Sequence, residues 1–161
     1  MAAMTGFSAF KRGLLANKAA IVTGGGSGIG LAIASELLHL GCSVVIASRS
    51  KDKLSESRSL LEQQVVNSPT SQYEGDPPQV NYVVCNIRNV DDVENLMQES
   101  KHMHGNIDFL CNNGGGQFPS TARNITSKGW QAVIDTNLNG TFNCCNAVYR
   151  CNCPPDVPTI L

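Results

Sequence analysis

With 161 residues and a formal net charge of −1, the chain fits one domain around one core and offers no basic field to attract nucleic acid. No Lys/Arg run is long enough to track a phosphodiester backbone, and no uninterrupted apolar stretch approaches the ~20 residues of a membrane span. The seven cysteines are an odd number. Cys42, Cys85 and Cys111 fall in apolar runs that read as buried strands, which suits reduced thiols in an intracellular compartment. Cys144, Cys145, Cys151 and Cys153 contain no C-x-x-C pair, so no metal site is expected.

In chain order, residues 1–18 form a leader with Lys11, Arg12 and Lys18 and no acid; the first acidic residue is Glu36. That composition suits either an organellar transit peptide or a solvated, disordered leader. A strand is predicted at 19–23 and an amphipathic helix at 28–39, joined by the turn Thr23-Gly24-Gly25-Gly26-Ser27-Gly28-Ile29-Gly30. A phosphate meets the N–H groups of a helix N-terminus only where no Cβ blocks it, so strand, glycine turn and helix together read as a dinucleotide pyrophosphate site. Its contacts are Thr23, Gly24, Ser27, Gly28, Ile29 and Gly30.

The second strand, at 43–47, runs into Ala47-Ser48-Arg49-Ser50-Lys51. An NAD site places an acid here, against the ribose 2′-hydroxyl, and this chain has none. Arg49, backed by Lys51, suits a 2′-phosphate instead, so the expected cofactor is NADPH. A helix is expected at 51–65, then a surface loop between Asn67 and Gln79 without apolar period. A strand at 80–84, a helix at 90–103, a strand at 107–111 and a helix at 127–149 follow. Asn124-Ile125-Thr126 matches a glycosylation sequon by chance if the protein is intracellular.

Alternating strands and helices give an α/β fold: a Rossmann-type parallel sheet with helices on both faces, stopping after about four strands and four helices. The expected organisation is a leader at 1–18, a partial NADP-binding domain at 19–149 and an irregular tail at 150–161, where prolines recur without period.

The glycine turn has the form T-G-x-x-x-G-x-G and is joined by Asn112-Asn113-Gly114-Gly115 after the fourth strand. This pair resembles the short-chain dehydrogenase/reductase family. The resemblance implies that Asn113, Gly114 and Gly115 steady the central sheet and line the cofactor. It implies that Asn86, in Cys85-Asn86-Ile87, stands where the family usually has an Asp holding the adenine amino group, with Ile87 beside it. Asn137, within Thr136–Phe142, matches the Asn that helps hold a water in the proton relay, and is the one catalytic residue carried over. A closer likeness, over residues 13 to 149, is to the family's peroxisomal trans-2-enoyl-CoA reductase branch. It rests on Val45–Arg49, Cys85–Asn89, Asn112–Phe118, Ser127–Trp130 and Thr141-Phe142. That likeness implies NADPH-dependent reduction of the C2=C3 bond of an acyl-CoA.

The family's chemistry also uses a Ser and a Tyr-x-x-x-Lys element, and the chain has neither; Tyr149 is followed four residues later by Cys153. The expectation is a shortened form that keeps the NADPH half and has little or no activity. Two alternatives stand beside it: a non-catalytic NADP-binding or subunit-pairing module, or a carbonyl-reducing enzyme of the same family. Absent later strands leave the fourth as an exposed edge, which favours homo-oligomers or pairing with a full-length subunit. Thr159-Ile160-Leu161 departs from an S-K-L type address, so peroxisome, mitochondrion and cytoplasm all stay open.

Overall fold

A computed structural model describes residues 8–67 and 76–152. Four strands, β1 (Ala19–Thr23), β2 (Ser43–Ser48), β3 (Val80–Val84) and β4 (Phe109–Cys111), form one parallel sheet in the order β3-β2-β1-β4. Five α-helices accompany them: α1 (Gly28–His39), α2 (Lys51–Val66), α3 (Val90–His104), α4 (Ser127–Ile134) and α5 (Gly140–Asn152). A π-helical turn, Asp135–Asn139, separates the last two.

Strands buried on both faces carry apolar residues at every position rather than alternately. Thus Val22, Val44 and Ile46 face α1 and α2 and meet Ala34, Leu38, Leu54 and Leu61. Ile21, Val45, Ala47 and Val83 face the other way, toward Val93, Leu96 and Met97 of α3 and Cys144 and Ala147 of α5. Alternate residues of the same strands therefore build two separate cores. β1 pairs with β2 on one side (Ile21 opposite Val45) and with β4 on the other (Ile21 opposite Leu110).

The helices begin where side chains satisfy their open N–H groups. Ser50 caps α2, Asn89 caps α3 through Asp91 and Asp92, and Thr126 caps α4 through Gly129. α1 is different: Ser27 makes no side-chain capping bond.

Three sequence expectations need correction. The last helix is not continuous over 127–149. Thr136 Oγ1 donates back to the Ala132 carbonyl at 2.8 Å and Thr141 Oγ1 to the Asn137 carbonyl at 2.9 Å, and such back-bonding bends helices; here the chain takes up an extra residue in a π turn. The helix also runs on to Asn152, so the irregular tail does not begin at 150; residues 153–161 lie outside the described residues. Regular β4 pairing starts at Phe109 rather than Ile107, because the Asp108 carboxylate, not a main-chain carbonyl, takes the Ala19 N–H at 2.9 Å.

The described part of the leader is docked rather than free. Leu15 N–H donates to Leu40 O at 2.8 Å, satisfying a carbonyl left open at the end of α1. Arg12 Nη2 lies 3.0 Å from His39 Nδ1, and Ser8 Oγ donates to Glu36. The first seven residues and 68–75 of the long loop lie outside the described residues.

Candidate cofactor-binding site

The chain leaves β1 toward β2 and β3, then crosses back to place β4 on the other side of β1. In open parallel sheets the crevice at such a reversal, outside the carboxyl ends of the strands, is where ligands bind. The glycine turn after β1 and Asn112–Gly115 after β4 meet here. Thr23, 1% exposed, joins them: its Oγ1 accepts the Gly114 N–H at 2.9 Å and donates to the Cys111 carbonyl at 3.2 Å. Asn113 Nδ2 donates to the Thr23 carbonyl at 3.0 Å. Thr23 and Asn113 thus tie the turn after β1 to the segment after β4.

The turn itself is shaped by contact. Gly24 has φ +69°, a left-handed conformation that L side chains rarely adopt. A Cβ on Gly30 would stand 2.4 Å from the Gly24 carbonyl oxygen and 2.5 Å from Asn113 Nδ2, so the start of α1 can press against the turn only as glycine. On the outer side, nothing lies within 4 Å of where a Gly28 Cβ would be. The start of α1 thus has no side-chain cap and open space outside Gly28, an arrangement that suits a diphosphate. Ser27 and Ile29 border that space, both exposed.

A cleft continues from the turn across the ends of β2 and β3. Gly24, Arg49, Asn86, Ile87, Gly114 and Gly115, six of the expected site residues, line it together with Ser48, Arg88 and Thr136. No carboxylate is among its lining residues. Asn86 is held by its main chain, whose N–H donates to Asp92 Oδ2 at 2.9 Å. Its side-chain oxygen accepts the Arg88 N–H at 3.3 Å. The residues present fit an adenine dinucleotide: a helix N-terminus without a side-chain cap, an arginine and an asparagine border one cleft whose lining has no carboxylate.

Asn137 sits in the π turn beside this cleft, and its amide is engaged on both sides. Nδ2 donates to the Gly116 carbonyl at 2.8 Å and Oδ1 accepts the Gly116 N–H at 3.0 Å. This reciprocal pair fixes the loop after β4 to the helix. The sequence singles out Asn137 but not this pairing, which spans 21 residues. Nor does it single out Arg88 and Thr136; Arg88 directly follows the Asn86-Ile87 pair, and that adjacency was the available signal.

Two buried thiols near the cleft are held in the protonated form. Burial, followed by the neighbouring Cys144 and Asp92, pushes the Cys85 thiol up to about 12, and burial pushes Cys144 up to about 11. Both stay protonated at neutral pH. No helix among the described residues is long and apolar enough to cross a membrane.

The short chain dehydrogenase family model matches residues 18–152. A Bacillus subtilis protein named Probable 2,4-dienoyl-CoA reductase, (2E)-enoyl-CoA-producing, is 34% identical over 133 residues, which are 83% of this chain and 48% of that protein. The Danio rerio peroxisomal 2,4-dienoyl-CoA reductase is 31% identical over 136 residues, 84% of this chain and 42% of that one. Among solved structures, a citronellol catabolism dehydrogenase of Pseudomonas aeruginosa superposes with a TM-score of 0.77 at 34% identity, covering 90% of this chain and 54% of its own. The chain belongs to the short-chain dehydrogenase/reductase family, whose members bind nicotinamide cofactors. It spans about half the length of the curated relatives it matches, and these include peroxisomal and bacterial proteins.

Proposed function

We propose that this chain binds NADPH and descends from reductases of the C2=C3 bond of trans-2-enoyl-CoA, while carrying little or no turnover by itself. The observation that carries the cofactor choice is the cleft wall at the end of β2, where Arg49 stands and no carboxylate lines the cleft. An acid there would repel a 2′-phosphate, and a guanidinium pairs with it through charge-assisted bonds. In this reading Ser27, Gly28, Ile29 and Gly30 hold the diphosphate through main-chain N–H groups, while Gly24, whose own N–H donates to the Ala47 carbonyl at 2.7 Å, shapes the turn beneath it. Asn86 and Ile87 border the adenine, and Gly114 and Gly115 line the floor. Bound NADPH would supply a hydride.

Asn137 is assigned the proton-relay water. Its side chain is committed to Gly116, so the contact falls to its main-chain carbonyl, which already accepts from Thr141 and keeps a second lone pair. The substrate assignment rests on likeness alone: the curated relatives above are named for 2,4-dienoyl-CoA, a substrate with one further conjugated double bond. A peroxisomal location has the same support.

Low turnover follows from the missing groups. General-acid help contributes ~10²- to 10⁴-fold, and the sequence holds no Tyr-x-x-x-Lys to give it. The test mixes purified chain, NADPH and crotonyl-CoA or a 2,4-dienoyl-CoA and follows the nicotinamide absorbance. Cofactor binding without steady oxidation is expected for both substrates. Steady turnover that Asn137→Ala abolishes overturns the low-activity reading.

A second reading, a non-catalytic module that pairs with a longer subunit, is favoured by the apolar flank of α4 and α5, where Trp130, Leu138 and Phe142 are exposed. Co-expression with a full-length family member, followed by sedimentation, distinguishes the two.

A further inference from the structure

Arg88 is a second guanidinium on the cofactor cleft, and its surroundings differ from those of a structural ion pair. The main chain beneath it is fixed. Asn86 N–H is bonded to Asp92, and Asn143 Nδ2 donates to the Ile87 carbonyl at 3.1 Å. The Ile87 side chain is wedged between two close approaches: a Cβ on Gly114 would come within 3.2 Å of it and one on Gly140 within 2.8 Å. The Arg88 side chain, by contrast, is 41% exposed, and its ion pair is a long one, Nη2 to Asp135 Oδ2 at 3.5 Å. Asp135 does not depend on that contact. Its other oxygen accepts Gln131 Nε2 at 2.8 Å and Asn139 Nδ2 at 3.0 Å.

The result is a planar cation on a rigid stem, loosely held at the lip of a cleft whose lining has no carboxylate of its own. A purine offers such a group a flat π face, and guanidinium planes stack on aromatic faces. We infer that Arg88 is a specificity-determining residue for the adenine base: it leaves Asp135 and lays its guanidinium over the purine of the bound cofactor. Asp135 holds the cation aside in the free protein and competes with the ligand for it. The inference rests on the adenosine reading of this cleft; it assigns Arg49 to the ribose phosphate and Arg88 to the base.

The test titrates 2′,5′-ADP and, separately, pyrophosphate into the 161-residue protein and into the variants Arg88→Met, Asp135→Asn and their combination, by calorimetry. Arg88→Met weakens 2′,5′-ADP about tenfold and leaves pyrophosphate, which has no base, within twofold. Asp135→Asn acts in the opposite direction and tightens 2′,5′-ADP several-fold, because the competitor is gone; in the Arg88→Met background it has no effect. A latch that merely holds the π turn to the loop after β3 requires weakening by Asp135→Asn, and that result overturns the inference. Equal loss of pyrophosphate in Arg88→Met overturns the base assignment. Since the expected Asp135→Asn effect is a gain, a folding defect cannot imitate it, and thermal melting of each variant verifies the fold. A wild-type protein that binds neither probe overturns the cofactor reading, and this inference with it.

Discussion

The two sides of β1 are finished to different degrees. Toward β2 and β3, Val22, Val44, Ile46, Leu54 and Leu61 are buried under α1 and α2, and the helix that follows each strand packs back on it. Toward β4 the pairing is only three residues long. There Phe109 is 38% exposed, and Trp130, Leu138 and Phe142 are 58–64% exposed along the helical segment beyond. The cleft lined by Gly24, Arg49, Asn86 and Gly114 lies on the seam. In our reading the adenosine half of the ligand is built by the closed side, whereas the reacting end faces the open side.

Core truncation sharpens the contrast most. Leu54→Ala, at a fully buried side chain, should cost about 2–5 kcal/mol, while Phe142→Ala should change stability by about 0.5 kcal/mol or less. Urea unfolding of both variants measures the difference, and similar losses would erase the distinction. Within the closed side, Gly30→Ala places a Cβ 2.4 Å from the Gly24 carbonyl oxygen. Such overpacking costs about 1–3 kcal/mol and should abolish NADPH binding; a variant that melts and binds like the parent would show that the turn yields.

On the open side, Leu138→Lys together with Phe142→Glu removes exposed apolar surface and should raise solubility and shift sedimentation toward monomer with the melting temperature little changed. An unchanged distribution of species would mean that this face drives no association.

The smallest effect concerns the thiols. Among the described cysteines, exposed Cys145 should react with an alkylating reagent at pH 8 well before buried Cys42, Cys85 and Cys144, which burial pushes up to about 12, 12 and 11. Folding favours these three only as thiols. Their contribution is full below the ordinary value of 9.0 and is lost as pH rises toward the folded values. Stability measured from pH 8 to 11 should therefore fall, and rapid labelling of Cys85 in the native protein would contradict the burial argument.

Much of this layout was legible in the sequence, because runs such as Val44-Val45-Ile46-Ala47 and the turn at Gly24–Gly30 are local signals that punctuation and period report directly. The six expected residues that line the cleft were read as separate segments for the same reason. What stayed hidden depends on distant partners. Of the π turn only a mid-helix Asn137 ahead of Gly140 was legible, a pattern compatible with a kink but silent on its kind. The Asn137–Gly116 pair and the Arg88–Asp135 pair span 21 and 47 residues, and no local pattern encodes either. The docking of the leader on α1 was missed likewise, because Leu15 answers a carbonyl that becomes open only once α1 ends at His39.

The central claim, a cleft chosen for a 2′-phosphorylated cofactor, is tested most directly by titrating NADPH and NADH into the purified chain by fluorescence, beside Arg49→Asp. The account predicts tighter binding of NADPH, by an amount on the order of 1.5–3 kcal/mol for a charge-assisted contact, and a reversed order in Arg49→Asp. Equal affinity for the two cofactors in the unaltered chain would contradict it.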